Sequence, residues 1–197
     1  LNPAKKRKNL KIEVKSHVQK INFEGKKAIS VSYYSGNKLK TVKVNKEVIL
    51  SSGSIGSPQI LQVSGIGDGE KLKKLGIEVV NNLKGVGKNL QDHLMMRPVY
   101  KVKNLKSLNK KVNSLFGRFM MGLEYILKQS GPITMGASQV CGFVKSDPSK
   151  ATPNLQFHVQ PISTDILGAT KMHDFDGITP TVANVRPTSR GEINIVS

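Results

Sequence analysis

Residues 47–67 constrain the fold more than any other part of this chain. They begin with an uninterrupted apolar run, Val-Ile-Leu at 48–50, which is typical of a strand buried on both faces of a parallel sheet. Small glycine and serine residues follow, and they cannot continue a strand. Ser57 followed by Pro58 then predicts a helix with Ser57 as its N-cap, which should end at Gly65. We therefore predict a strand, a tight turn and a helix in succession.

A turn of this kind can serve as a binding site. The first backbone N–H groups of a helix have no partners within it, and they lie at the positive end of the helix dipole. They can therefore face an anionic or electron-rich ligand. Many such turns bind nothing, and these residues alone leave a purely structural turn open.

A second dense motif lies at residues 85–93. Its two glycines permit close backbone approach, and four polar side chains follow within five positions: Asn89, Gln91, Asp92 and His93. Such density is typical of a hydrogen-bonded turn, with direct chemistry as the alternative. The chain has no Gly-x-Gly-x-x-Gly, so Gly85 and Gly87 do not form a dinucleotide fingerprint.

The first half of the chain otherwise predicts short strands and one more helix. Apolar residues alternate with polar ones in segments broken by glycine turns, which indicates a small meander leading into the strand at 48–50. Residues 68–75 have leucines at helical spacing, with Gly76 as a C-terminal cap. The predicted strands are residues 10–14, 18–23, 29–33, 39–44 and 77–80.

The character of the sequence changes near Met96. An amphipathic helix is predicted over residues 115–127, capped by Asn113 or Ser114, and we expect its apolar face to pack on a sheet. Longer alternating segments on either side indicate an antiparallel sheet. The predicted strands of this half are residues 98–102, 138–144, 154–161, 181–185 and 193–196.

Composition narrows the possible functions. The 197 residues carry a formal net charge of +18, which would fit a nucleic-acid-binding module. However, the basic residues are mostly lysines and tryptophan is absent, whereas specific nucleic-acid surfaces favour arginine and aromatic side chains. We interpret the charge as a solvated lysine-rich surface with one basic cluster at residues 5–8, and we predict no specific nucleic-acid partner.

The cysteine and histidines give little sign of chemistry. Cys141 is the single cysteine, so an internal disulfide is impossible and a reducing compartment such as the cytoplasm is expected. Its apolar neighbours predict a small core residue, because no neighbouring sequence suggests a partner for a reactive thiol. His17 and His173 lie outside any motif, and no metal-ligand spacing occurs, so we predict no metal site.

The two motifs together resemble a known family. Residues 53–67 are similar, at essentially every position, to the second signature of the glucose-methanol-choline (GMC) flavoprotein oxidoreductases. Residues 85–93 are similar to the family's Gly-Val-Gly-x-Asn-Leu-Gln-Asp-His. The corner at 186–191, Arg-Pro-Thr-Ser-Arg-Gly, resembles the family's substrate-binding domain. Residues 131–135 and 154–161 resemble the choline-dehydrogenase-like members most.

The resemblance implies a fold and a cofactor. The expected class is α/β (α+β): part of an FAD-binding Rossmann-like domain over residues 1–96, followed by part of an antiparallel-sheet substrate-binding domain over residues 97–197. FAD is the implied cofactor, with the backbone of Val18 beside its adenine. The implied cofactor-binding residues are Val18, Ser52, Gly53, Ser57, Gly85, Gly87, Asn89, Asp92 and His93.

The resemblance also implies an activity, which is oxidation of a small-molecule alcohol, choline-like or other, by hydride transfer to flavin. His158 and Gln160 share one face of their predicted strand and either line the substrate cavity or point outward as polar surface residues. In the family the catalytic histidine lies near the C-terminus, so no catalytic residue is assigned here. The electron acceptor stays undefined.

We expect this chain to be an internal fragment that lacks the dinucleotide fingerprint and the catalytic segment, and that is inactive when isolated. A non-catalytic remnant of the family is an alternative, and a basic nucleic-acid-binding module is a weaker one. Peripheral membrane association is left open for the full-length protein. No run approaches the length of a membrane span.

Overall fold

The computed structural model describes residues 2–136, 138–166 and 170–197, and the chain divides into two compact units. The first comprises Leu1–Gln91 together with Ser189–Ser197, and the second comprises Asp92–Thr188. The last nine residues therefore return to the first unit. Nothing in their sequence signals this return, because it depends on partners distant in the chain.

The first unit opens with a three-stranded antiparallel meander. Its strands are β1 (Ser16–Glu24), β2 (Lys27–Ser35) and β3 (Lys38–Lys43), in the order β1-β2-β3. Gly25 and Gly36 take φ values of +56° and +59° at the two turns, a conformation that glycine adopts without strain. The predicted meander is confirmed.

The predicted strand at residues 10–14 is wrong. This segment has no regular structure, and Leu10, Ile12 and Val14 are exposed. Alternation of apolar and polar residues indicates a strand only where a neighbouring strand supplies backbone hydrogen bonds. None lies beside this segment among the described residues.

The prediction for residues 47–67 is partly wrong. No strand forms over 48–50, where Ile49 is 80% exposed. A strand buried on both faces needs neighbouring strands and layers on either side, which the described part of the chain does not place there. The helix α1 spans Gly53–Val63, so it begins before Ser57 and contains Pro58 within it. Its predicted end is confirmed, with Gly65 at φ +87°.

The rest of the first unit is built around the end of α1. The strand β4 (Ile66–Gly67) leads into helix α2 (Gly69–Lys74), whose N-cap Asp68 accepts hydrogen bonds from two backbone N–H groups. Leu72 of α2 is only 1% exposed. The predicted helix is confirmed, with its glycine cap at Gly76 (φ +72°). The strand predicted at 77–80 instead occurs as β5 (Asn81–Asn82), parallel to β4.

The second unit contains an antiparallel sheet, as predicted. The strands are β6 (Met95–Met96), β7 (Tyr100–Lys101), β8 (Val140–Val144), β9 (Leu155–Gln160) and β10 (Gly177–Asn184). Their order in the sheet is β6-β10-β9-β8, with β7 also pairing with β10. The strands predicted around residues 138–144, 154–161 and 181–185 are confirmed, whereas the strand predicted at 98–102 shortens to β7 and residues 193–196 are irregular.

The described part of the second unit also contains two α-helices, α3 (Asn109–Asn113) and α4 (Leu115–Lys128), and a short 3-10 helix at Pro132–Thr134. Ser114 caps α4 by accepting a hydrogen bond from the Gly117 N–H at 3.3 Å, which confirms one of the two predicted caps. The predicted packing of α4 on a sheet is wrong for this chain, because Phe116 is 72% and Ile126 is 75% exposed. Across the described residues, no helix combines the length and apolarity needed to cross a bilayer.

Candidate functional site

The two glycine-containing motifs meet at one cavity of the first unit. Its volume is about 470 Å³, and one wall is the N-terminal half of α1 while the other is the loop that follows Gly85. Three of the predicted cofactor residues line it, namely Ser57, Gly87 and Asn89. The other lining residues are Ser54, Pro58, Leu61, Val86, Lys88, Leu90, Gln91 and Ile193.

Gly87 holds this loop against the C-terminal segment. The Ile193 N–H donates to the Gly87 carbonyl at 2.7 Å, and Gly87 has φ +78°. A Cβ at Gly87 would overlap the Ile193 carbonyl oxygen. By contrast, Gly85 has no atom within 4 Å of a Cβ position. Close backbone approach therefore requires glycine at 87 but not at 85.

Gln62, which no sequence motif singles out, fixes the other side of the same segment. Its side chain is buried, with Nε2 donating to the Ile193 carbonyl at 2.8 Å and Oε1 accepting from the Ile195 N–H at 3.0 Å. The amide thus satisfies two backbone groups that have no strand partner. The only signal in the sequence is a polar residue between the apolar Leu61 and Val63.

A second cavity, of about 500 Å³, lies on the meander side of α1. Val18 of β1 and Ser52 at the start of α1 both line it, and both were predicted to bind the cofactor. The Ser52 hydroxyl does not cap the helix, so the first N–H groups of α1 are left without a side-chain cap. The start of α1 therefore keeps backbone donors for an electron-rich ligand.

The remaining predicted residues are placed less tightly. Gly53 takes φ +78° at the first position of α1. Neither Gly53 nor Gly85 lines either of the two cavities. Asp92 and His93 are exposed and belong to the second unit. Within residues 2–136, 138–166 and 170–197, no three His, Cys, Asp or Glu side chains are grouped to hold a metal ion.

The two residues predicted for the substrate cavity lie on one face of β9. Their cross-strand partners on β10 are Thr181 for His158 and Thr179 for Gln160, and both predicted residues are half-buried. Gln160 Nε2 lies 3.5 Å from the Ser138 hydroxyl. His158 Nδ1 lies 3.1 Å from the sulfur of Cys141, which is exposed rather than a core residue as predicted.

A buried polar network in the second unit was also missed. Asn109 and Ser163 are fully buried, and the Asn109 amide donates to Ser163 Oγ at 2.8 Å and to the Phe175 carbonyl at 2.7 Å. His173, for which the sequence suggested no role, contacts Ser163 Oγ and Asp165 at 3.1 Å and 2.9 Å. This network anchors α3 to residue 163 and to the segment that precedes β10.

Asp176 joins the same region through its carboxylate. The Lys110 ammonium lies 3.0 Å from Oδ2, and the Ser107 N–H donates to Oδ1 at 3.0 Å. These contacts, with the Lys110 hydrogen bond as the larger, lower the pKa of Asp176 below its ordinary value. The carboxylate therefore stabilises the fold above the unfolded pKa, and that contribution is lost as the pH falls through the folded pKa.

We expect Asp176→Asn to lower the urea midpoint of the second unit at neutral pH. The midpoint of this variant should also decrease less on acidification than that of the unsubstituted chain. In the unsubstituted chain, the midpoint should fall on acidification below about pH 4, where carboxylates become protonated. Asp174→Asn, at an exposed carboxylate two residues away, is the matched control and should retain the original profile. Identical acid profiles for both variants would contradict a stabilising role of Asp176.

Comparison with known proteins relates the whole chain to one group of enzymes. Residues 1–95 match the family described as GMC oxidoreductase. All 197 residues align with an oxygen-dependent choline dehydrogenase of Chromohalobacter salexigens at 40% identity and with one of Staphylococcus xylosus at 41%. The chain spans 35% of the length of each of these relatives.

Solved structures show the same fold. An FAD-dependent oxidoreductase from Chaetomium thermophilum superposes with a TM-score of 0.78 at 24% identity, covering 100% of this chain and 40% of that one. A formate oxidase from Aspergillus oryzae gives a TM-score of 0.82 at 21% identity, covering 94% of this chain and 37% of that one. These similarities support the mixed helix-and-sheet class expected from the sequence.

Proposed function

We propose, from the premise that this chain belongs to the GMC oxidoreductase family, that it forms part of an FAD-dependent enzyme oxidising the CH–OH group of an alcohol. One observation carries the proposal, which is the alignment of the entire chain with choline dehydrogenases at 40% identity. Because the chain spans 35% of those relatives, the activity belongs to the longer protein. A choline-like alcohol is the substrate class this similarity favours.

The first unit has features that fit an FAD-binding role. The uncapped start of α1 offers backbone donors, and the two cavities beside this helix are lined by Val18, Ser52, Ser57, Gly87 and Asn89. Bound FAD would supply the hydride acceptor. These residues would supply only part of the cofactor contacts, because the chain has no Gly-x-Gly-x-x-Gly for the pyrophosphate.

The second unit is the candidate wall of the substrate cavity. We assign this role to the face of β9 that carries His158 and Gln160, because both side chains are half-buried rather than fully solvated. Either side chain could orient an alcohol by hydrogen bonding. The apolar face of α4 is exposed in this chain. In a longer polypeptide of the family, residues outside this chain would be available to cover it.

A segment exchange tests the proposal. The part of the Chromohalobacter salexigens enzyme aligned with this chain is replaced by these 197 residues, and bound flavin is measured by visible absorbance beside choline oxidation. We expect the hybrid to retain flavin and to oxidise the alcohol, while the 197-residue chain alone should lose flavin on dialysis. A hybrid that shows cooperative thermal unfolding but contains no flavin would overturn the assignment.

The same hybrid separates the cofactor residues from the substrate residues. Gly87→Val should lower the flavin content, since the added bulk overlaps the backbone that shapes the α1 cavity. His158→Ala should leave flavin bound and change KM or kcat for the alcohol. Full flavin content and normal turnover in the Gly87 variant would remove this loop from the cofactor site.

A further inference from the structure

The antiparallel ladder between β8 and β9 places a thiol next to a base. Cys141 and His158 are direct cross-strand partners, 17 residues apart in sequence, and the Cys141 sulfur lies 3.1 Å from His158 Nδ1. Cys141 is exposed to solvent, and it is the single cysteine of the chain. A nucleophile and a base within hydrogen-bond reach form the basic unit of an activated thiol.

The backbone enforces this pairing. Five consecutive residue pairs hold β8 against β9, from Val140 opposite Val159 to Val144 opposite Leu155. Side chains that are directly opposite in an antiparallel pair share one face, with Cβ atoms about 5 Å apart. The contact between Cys141 and His158 is therefore set by the register of the sheet.

The same row continues onto a third strand with an unsatisfied polar group. Thr181 of β10 pairs with His158 on the opposite side from Cys141. Its side chain is 2% exposed, and its hydroxyl has no hydrogen-bond partner among the described residues. A buried hydroxyl without a partner is costly. The row formed by Cys141, His158 and Thr181 therefore contains a hydroxyl group that is available for a hydrogen bond.

We propose that Cys141 is a site of oxidative modification by peroxides, with His158 as its base. The thiol proton passes to His158 Nδ1, and a sulfur lone pair attacks one oxygen of hydrogen peroxide. The O–O bond breaks, and the leaving hydroxide takes the proton from the imidazolium to form water. Sulfur is oxidised by two electrons to a sulfenic acid, and the peroxide is reduced to water.

Accessibility distinguishes this pair from a second nucleophile–histidine contact in the described part of the second unit. Ser163, His173 and Asp165 also form a hydrogen-bonded series. However, Ser163 is 0% exposed, and its hydroxyl oxygen also accepts a hydrogen bond from the Asn109 amide. No substrate can therefore approach this oxygen. Cys141 is open to solvent and has a base beside it.

The single cysteine makes the test direct, because every thiol reaction of this chain reports on Cys141. The folded chain is treated with hydrogen peroxide at pH 7, and sulfenic acid is trapped with dimedone and quantified by mass spectrometry. We expect oxidation about tenfold faster than for the same chain unfolded in urea, where no base is held beside Cys141. His158→Gln should lower the rate to that of the unfolded chain.

His173→Gln is the matched control, since it removes another histidine of the second unit without touching Cys141, and it should leave the rate unchanged. A folded chain that oxidises no faster than the unfolded one would overturn the proposal, as would an unchanged rate in His158→Gln. The comparison of the folded and unfolded chain needs no variant, so it decides the question even if His158→Gln fails to fold.

Discussion

Replacing Gly87 by alanine is expected to lower the free energy of unfolding of the first unit by about 2–4 kcal/mol, a large effect for one methyl group. The backbone there has φ +78°, and a Cβ would overlap the Ile193 carbonyl oxygen. The loop would have to move away from residue 193 and lose the hydrogen bond between the Ile193 N–H and the Gly87 carbonyl. Urea denaturation followed by circular dichroism measures the loss.

Gly85→Ala is the control for this prediction. It adds the same methyl group two residues away, where no atom lies within 4 Å of the new Cβ. We expect a change within about 0.5 kcal/mol, as for ordinary surface substitutions. Equal losses in the two variants would mean that general stiffening of the loop, and not contact with residue 193, determines the effect.

The second large effect is expected at Asn109, where alanine should destabilise the second unit by about 3–5 kcal/mol. The Asn109 side chain is 0% exposed and satisfies the Ser163 hydroxyl, the Ser163 N–H and the Phe175 carbonyl. Alanine would leave the Ser163 N–H and the Phe175 carbonyl without these partners, and the Ser163 hydroxyl in contact with His173 alone. Hydrogen exchange of peptides covering β9 and β10 should show faster exchange in the variant.

Lys111→Ala is the matched control, because it changes an exposed residue of the same short helix α3. Alanine also has the highest helix propensity, so any effect through helix formation should be small. The control should exchange like the unsubstituted chain. An Asn109 variant with unchanged exchange in β9 and β10 would show that the network does not support the sheet.

Elements with local signals were predictable from sequence. The meander follows from alternation and from Gly25 and Gly36, whose freedom at positive φ permits the turns. The start of α4 follows from Ser114, because a serine oxygen can accept the N–H three residues on. In both cases the physical cause lies within a few residues of the element.

Predictions failed where the outcome depends on what surrounds a segment. Residues 48–50 and 10–14 have strand-like patterns but no strand beside them in the described structure. The helix α1 began before its expected N-cap: Ser57 Oγ instead accepts the Ser52 N–H at 3.0 Å, and Pro58 lies inside the helix. Apolar residues on α4 stayed exposed because a pattern of hydrophobicity does not supply the surface that buries it.

The sequence by itself determined the meander, the positions of the main helices, the antiparallel character of the second half and the resemblance to a flavoprotein family. Only the tertiary structure decided which distant groups meet: Gln62 with Ile193 across 131 residues, and Asn109 with Ser163 across 54. Turns and caps arise from dihedral preferences and hydrogen bonds of neighbouring residues. Burial, cross-strand pairing and the contact of Cys141 with His158 require separate segments to be brought together, and no local pattern specifies which ones.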